Sequence, residues 1–420
     1  MIALIVILLI LLALFGMPLF TVLGTIAVVL FHRAEIDISS VAVSMYTLAN
    51  SPLLVAIPLF TFAGYLFAYS RAPDRLVTLS RALFPGGLAV VALVSCAVFT
   101  AFTGASGVTI IAMGGLLMPA LIKDGYQKRF NLGLLTASGS LGLLFPPSLP
   151  LILYGYVAAV SIDQLFLAGL LPGIFLVVVL SIYGYWQGQR AGVPRERWSL
   201  RNIASALRTA GWEVPLPIIV LGGIYSGFIT VMEAAALTAA YALLVEVVIY
   251  RDVSLRQLPG IVAESMMLVG GILIILACAL GLTNFLIDAE VPMQLLEWMQ
   301  HYVSSKYTFL LLLNLFLLVV GCLMDIFSAL IVVVPLIAPV AAGFGVDPVH
   351  LGIIFLTNLE IGYLTPPVGL NLFISSYRFN EPVIALYSAS VPFLLLLLAS
   401  LLVITYIPAI SLFLVNLVGG

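Results

Sequence analysis

Apolar runs without a single charged residue dominate the chain. They cover residues 2–31, 38–70, 82–122, 130–162, 164–189, 214–232, 265–287, 307–324, 326–346, 361–377 and 383–420. Several exceed the ~20 residues that a helix rising ~1.5 Å per residue needs to cross a ~30 Å hydrocarbon core. The pattern predicts an all-α polytopic membrane protein with about eleven crossings and further membrane-embedded pieces. The first run, MIALIVILLI onward, has no basic flank and no small-residue cleavage site, and it is too long for the apolar region of a signal peptide. It reads as a retained first helix.

Two runs do not fit single spans. Residues 82–122 form 41 uncharged residues with TGASG near their centre, which predicts a helix followed by a re-entrant hairpin turning at that tip. The stretch GLLTASGSLGLLFPPSLPLILYG, residues 133–155, is long enough to cross but carries Pro146 and Pro147 in its middle. Each proline removes an amide donor and disfavours helix in the residue before it, so the helix must break at mid-membrane. Unwound backbone at that depth is tolerated only inside protein or beside a water-filled cavity, so the break lines a site.

The same feature recurs. Sliding the chain on itself by 220 residues superposes Pro119 on Pro339, Gly125 on Gly345, Gly142 on Gly362, Pro146 on Pro366 and Pro147 on Pro367. These residue types fix backbone shape, which makes the match structural. Upstream of each break lies a small or polar tip inside an apolar segment, TAFTGASGVTIIAMGG at 100–115 and GCLMDIFSALIVVVP at 321–335. Residues 1–189 form a first repeat, with a hairpin near 100–122 and a broken helix over 131–157. Residues 190–212 connect it to a second repeat over 213–420, with a hairpin near 314–340, a broken helix over 350–376 and a C-terminal helix.

Charge supplies orientation. The loop KDGYQKRF carries Lys123, Lys128 and Arg129, whereas its counterpart at 341–350 carries no Lys or Arg. The positive-inside rule places the first loop in the cytoplasm and the second outside, so the repeats are inserted upside down relative to each other. Arg190, Arg195, Arg197, Arg201 and Arg208 put the connection in the cytoplasm as well. Inverted repeats with broken helices meeting at the midplane are the signature of secondary transporters.

Composition agrees with this class and excludes others. The chain is 63% hydrophobic and 8% charged, with net charge −2. No basic field invites nucleic acid, and no polar stretch is long enough for a soluble catalytic domain. Cys96, Cys278 and Cys322 lie in apolar runs without metal-ligand spacing and read as core residues. His32, His301 and His350 stand near run ends, where imidazoles suit the membrane interface. No phosphate-cradling glycine loop and no nucleophile–base pair is visible, so the chain is not read as an enzyme.

GASG, then MPALIKDGYQKRFNLGLLTASGSLGLLFPPS, then GFITVMEAAALTAAYALL, then LTPPVGLNLF, in this order over nearly the whole chain, resemble the large membrane (M) subunit of tripartite ATP-independent periplasmic (TRAP) transporters. The resemblance implies sodium-driven import of organic acid anions such as C4-dicarboxylates, keto acids or sugar acids across a bacterial inner membrane. It implies two partners, a periplasmic substrate-binding protein and a small four-helix membrane subunit. It also implies an elevator fold, with a scaffold and a transport domain made of the two hairpins and two broken helices. Some sialic-acid members place an acidic residue just after the first tip, whereas this chain continues Gly107, Val108, Thr109, Ile110, which leaves the substrate open.

Sodium, with no organic cofactor, is then the expected ligand, and it takes oxygens from unwound carbonyls, hydroxyls, amides and an occasional carboxylate. Gly104, Ser106, Ser140, Pro146 and Ser148 form a first candidate cluster, and Asp325, Ser328, Thr365, Gly369 and Asn371 a second. Ser106, Thr109, Ser328 and Asn371 are the candidates to touch substrate. Serines at such positions also serve close helix packing, and Asp325 also suits a helix N-cap. Glu360 reads either as a proton-coupling group or as a partner inside the bundle. Glu233, three residues after Thr230, has capping-box spacing. Arg378 suits a membrane edge or a contact with a partner subunit. A stand-alone sodium/anion symporter and, less readily, an ion channel are the alternatives.

Overall fold

The computed structural model describes residues 9, 12, 17–49, 51–84, 87–193 and 199–419. Much of the first half of the first apolar run, together with Arg195 and Arg197, lies outside them. Every described element is helical. Seven described helices are long and apolar enough to cross a membrane, or eight if a pair bent by 47° at the first break is one span. Shorter apolar helices accompany these among the described residues: Leu19–Arg33, Ala56–Tyr69, Leu88–Thr103, Pro215–Tyr225, Pro348–Gly362 and Ala409–Val418. The seven long helices include three hairpin arms, Ser106–Lys123, Lys306–Leu323 and Ile326–Gly343.

The first hairpin has arms Leu88–Thr103 and Ser106–Lys123, and the second has arms Lys306–Leu323 and Ile326–Gly343. Each is followed by a broken helix: Lys128–Ser138 and Leu149–Val157 in the first repeat, Pro348–Gly362 and Leu370–Phe379 in the second. Both Pro-Pro bonds, 146–147 and 366–367, are cis. Short helices Ala72–Leu83 and Val291–Tyr302 lead into the two hairpins at equivalent positions.

The first halves of the broken helices are the centre of the molecule. All residues from Phe130 to Ser138 and from Val349 to Gly362 are buried, as expected for helices apolar nearly all round. Close approach there requires glycine. A Cβ on Gly142 would fall 2.2 Å from Ala97 O, and one on Gly362 would fall 2.5 Å from the carbonyl carbon of Gly321. Each break thus lies against the first arm of its own hairpin, which explains why these two glycines recur in the repeat.

The second half-helices cross over. Leu149–Val157 packs against Ile326–Gly343 of the second hairpin, and Leu370–Phe379 packs against Ser106–Lys123 of the first. Lys128 pairs with Glu381, and Arg129 Nη2 donates to Ser388 O at 3.1 Å, so the loop of the first hairpin meets the far end of the second broken helix. At the other end Tyr154 Oη donates to Pro348 O at 2.8 Å. The two hairpin loops therefore lie at opposite ends of the bundle. Single cysteines at Gln127 and Ala342, in a background without Cys96, Cys278 and Cys322, are expected to react with an impermeant thiol reagent from opposite faces of the membrane. Labelling of both from one face overturns the inverted insertion.

Outside this core, Ala56–Tyr69 packs on Val231–Leu243 and Leu19–Arg33 packs along Leu258–Asp288. Thr230 and Glu233 cap each other reciprocally at the start of Val231–Leu243, as their spacing predicts. The three cysteines are free and buried. His350 departs from expectation. It is 1% exposed and its ring is held by Ser411 Oγ at 3.0 Å and Thr405 O at 3.2 Å. A short run after a charged loop looks like an interface in sequence, but the surrounding helices bury it.

Candidate functional site

The first tip turns at Gly104, whose φ of +64° is open to glycine at little cost, and its N–H bonds Thr100 O at 2.8 Å. The second arm then starts at Ser106, 4% exposed, with no side-chain cap on its N-terminus. Thr109 is fully buried. Its hydroxyl lies 2.8 Å from Thr100 Oγ1, which donates to Gly139 O at 3.0 Å. Thr109 and Thr100 thus tie the hairpin to the end of Lys128–Ser138. Pro146, Pro147 and Ser148 are buried, and Ser148 Oγ has no hydrogen-bond partner among the described residues.

The second tip is built differently. Asp325 is exposed and caps Ile326–Gly343: its Oδ1 accepts from Phe327 N and Ser328 N, both at 3.0 Å, and its other oxygen accepts from the Ser328 hydroxyl. Tyr363 Oη accepts from Ile326 N at 2.6 Å, and Gly369 N donates to Cys322 O at 3.1 Å, so tip and break are joined from both sides. Gly369 has φ +54°, and a Cβ there would fall 2.9 Å from Thr365 O and 3.0 Å from Tyr363 O. The turn therefore concentrates backbone carbonyls where only glycine fits. Thr365 donates to Ile361 O at 3.1 Å, and Pro366 to Val368 are exposed, unlike the buried first break.

Asn371 joins the two clusters. It is fully buried, its N–H donates to Tyr363 O at 3.2 Å, and its amide nitrogen reaches Thr136 O at 3.3 Å and Ser140 Oγ at 3.4 Å in the first repeat. One turn on, Ser375 Oγ pairs with Thr136 Oγ1 at 2.9 Å. Asn371 Oδ1 has no partner among the described residues. A buried acceptor without a donor costs ~1–3 kcal/mol, so this oxygen is available to a water or a bound ion. Neutral oxygens at the breaks and a carboxylate at the second tip are the kinds of donor that a hard monovalent cation takes.

Sequence reasoning reached the tips and breaks but not Thr100, Thr136, Tyr363 and Ser375. Tyr363 and Thr136 each flank a break or a small-residue stretch, and that adjacency was the available signal. Arg378 is exposed near the end of Leu370–Phe379 and is also held against the first hairpin. Its Nε donates to Ile111 O at 2.8 Å, and a Cβ on Gly115 would collide with its guanidinium. It pins Leu370–Phe379 to the first hairpin.

Comparisons with known proteins agree with this architecture. The family model described as "Tripartite ATP-independent periplasmic transporter, DctM component" matches residues 5–410. The chain is 37% identical to the C4-dicarboxylate TRAP transporter large permease protein DctM of Rhodobacter capsulatus, over 98% of each chain. It is 35% identical to the protein of the same name in Pseudomonas aeruginosa, over 94% of this chain and 93% of that one. The crystal structure of the Alcanivorax borkumensis YdaH transporter superposes with a TM-score of 0.60 over 88% of both chains at 13% identity, a likeness of fold.

Proposed function

The chain belongs to the DctM-component family of tripartite ATP-independent periplasmic transporters, and from that premise we propose that it is the large permease of a sodium-coupled importer of organic acid anions in a bacterial inner membrane. The observation that carries the coupling is the pair of buried oxygens without protein donors, Asn371 Oδ1 and Ser148 Oγ, one in each broken helix. The carboxylate class rests on two relatives named as C4-dicarboxylate permeases.

The two tips divide the electrostatic work. The N-terminus of Ser106–Lys123 lacks a side-chain cap, so its amides and positive dipole end are available to a carboxylate. The N-terminus of Ile326–Gly343 is already taken by Asp325, which repels an anion and attracts a cation. Ser106 then serves substrate, Asp325, Ser328 and the carbonyls around Gly369 serve sodium, and the Ser140–Asn371 contact transmits one occupancy to the other. Thr109 supports the first tip from behind. Crossed packing of half-helices on hairpins makes these elements one rigid unit, which moves as an elevator against the helices outside it.

The partners follow from the same family membership: a small four-helix membrane subunit and a periplasmic binding protein that delivers substrate. Purified chain in liposomes with an inward sodium gradient is expected to be inactive until both the small subunit and substrate-loaded binding protein are added. Saturable uptake by the chain alone refutes this and makes it a stand-alone symporter, and ion conductance without saturation makes it a channel.

A further inference from the structure

Glu360 is fully buried in Pro348–Gly362, two residues from the end of that helix, and neither of its carboxylate oxygens has a hydrogen-bond partner among the described residues. Its sequence reading as a partner inside the bundle is therefore not met. By the 220-residue shift it stands where Ser140 stands in the first repeat, the residue whose hydroxyl meets Asn371. It also sits at the negative end of a helix dipole, where an anionic side chain is unfavourable.

The ionisable groups on the elements packed around this helix are committed elsewhere. Lys306 Nζ donates to Gly345 O, Asp325 caps the second hairpin, and Asp163 and Arg190 lie in the first and last turns of Ile162–Arg190. Tyr154 and Tyr363 spend their hydroxyls on Pro348 O and Ile326 N, Tyr406 on Tyr307 O, and Tyr387 on Pro367 O. Tyr183 accepts from Gln187, Tyr156 lies near the end of Leu149–Val157, and Tyr185, like Tyr183, is on the C-terminal half of Ile162–Arg190. Cys322 is buried at the second tip, Leu141–Leu144 and Ala409–Gly419 carry no ionisable residue, and His350 and Asp347 are bound at the opposite end of the helix. No cation among the described residues pairs with Glu360, yet a bare carboxylate in a dry interior is far too costly to keep.

We infer that Glu360 is a proton-binding site of the moving unit, distinct from the sodium clusters, and that its proton crosses with substrate. A sodium ion requires several oxygens at once. A proton needs one. It adds from water to a carboxylate oxygen and returns to water, and the route is the exposed break at Pro366 to Val368, six residues on. The coupling half of this inference rests on the transport reading above, whereas the protonated state does not.

Two measurements test it. Infrared spectra of purified full-length chain at neutral pH are expected to show a protonated-carboxyl C=O band that is missing in Glu360→Gln. In liposomes with the complete assembly, wild-type uptake is expected to fall severalfold from mildly acidic to alkaline pH, and E360Q, a fixed mimic of the neutral form, to be flat. Glu360→Met, apolar and of similar length, carries the same two expectations should the amide not fold. Absence of the band, or an unchanged pH profile in both variants, overturns the inference. Absence of any uptake by the complete wild-type assembly fails the transport reading instead, and the infrared band then decides the protonated state by itself.

Discussion

Arg75→Met is expected to cost the protein ~3–5 kcal/mol of stability, the scale for removing one member of a buried ion pair. Arg75 is 8% exposed and meets three carboxylates: Glu213 at Nε, Glu246 at Nη2 (3.0 Å) and Asp252 at Nη1 (2.6 Å). Its guanidinium also lies 3.9 Å from the centre of the Tyr250 ring. Without the cation, Glu213 and Glu246, 4% and 0% exposed, are left facing each other in a low-dielectric interior. Arg75→Lys retains the charge but not the planar fork that serves three partners at once, so an intermediate loss is expected. Adding Glu246→Gln to Arg75→Met removes one of the stranded charges and is expected to restore part of the loss, a coupling seen only if the groups interact. The midpoint can be read from thiol-dye unfolding in detergent, because Cys96, Cys278 and Cys322 are buried until the chain opens. An unchanged midpoint in Arg75→Met contradicts the account.

Asn371→Leu is expected to raise the sodium concentration for half-maximal uptake roughly 10-fold or more, given ~1–3 kcal/mol for buried groups left without partners. Leucine keeps the approximate volume but removes the free Oδ1 and strands Thr136 O and Ser140 Oγ. Asp325→Asn is the comparator. Asparagine caps a helix about as well as aspartate, so this change removes charge and leaves the tip folded. Its shift is expected in the same direction but smaller, since Asp325 is exposed and water screens its field. Substrate affinity at saturating sodium should change less than sodium dependence in both variants, because a linked ligand restores the coupling once its site is filled. A larger shift in Asp325→Asn than in Asn371→Leu makes the carboxylate, not the amide oxygen, the dominant sodium ligand. No shift in either removes it from the breaks.

What the sequence disclosed and what it hid follow from the range of the forces involved. Pro146, Pro147, Gly142 and Gly104 act on their own backbone, so breaks, tips and their repetition are written locally. Asp325 as a cap is local too, since its acceptors are two and three residues away. The Asn371 bridge is not local. It exists because two broken helices cross, and nothing near residue 371 says that its amide reaches Thr136 and Ser140. Arg75 presents the extreme case, because its three partners lie 138 to 177 residues downstream, and each charge by itself resembles an ordinary helix-end residue.

The exchange of half-helices between repeats sets a condition on biogenesis. Leu149–Val157 leaves the ribosome with its neighbour, Ile326–Gly343, still a whole repeat away from synthesis. At roughly 5–20 residues per second the wait is on the order of 10–40 s. Throughout it, the Pro146-Pro147 break and Ser148 have no completed wall on that side. Nascent first repeats therefore require shelter from lipid, supplied by the insertion machinery or by an attending chaperone, and a chain truncated after the first repeat is a substrate for membrane proteases instead of a half-sized permease.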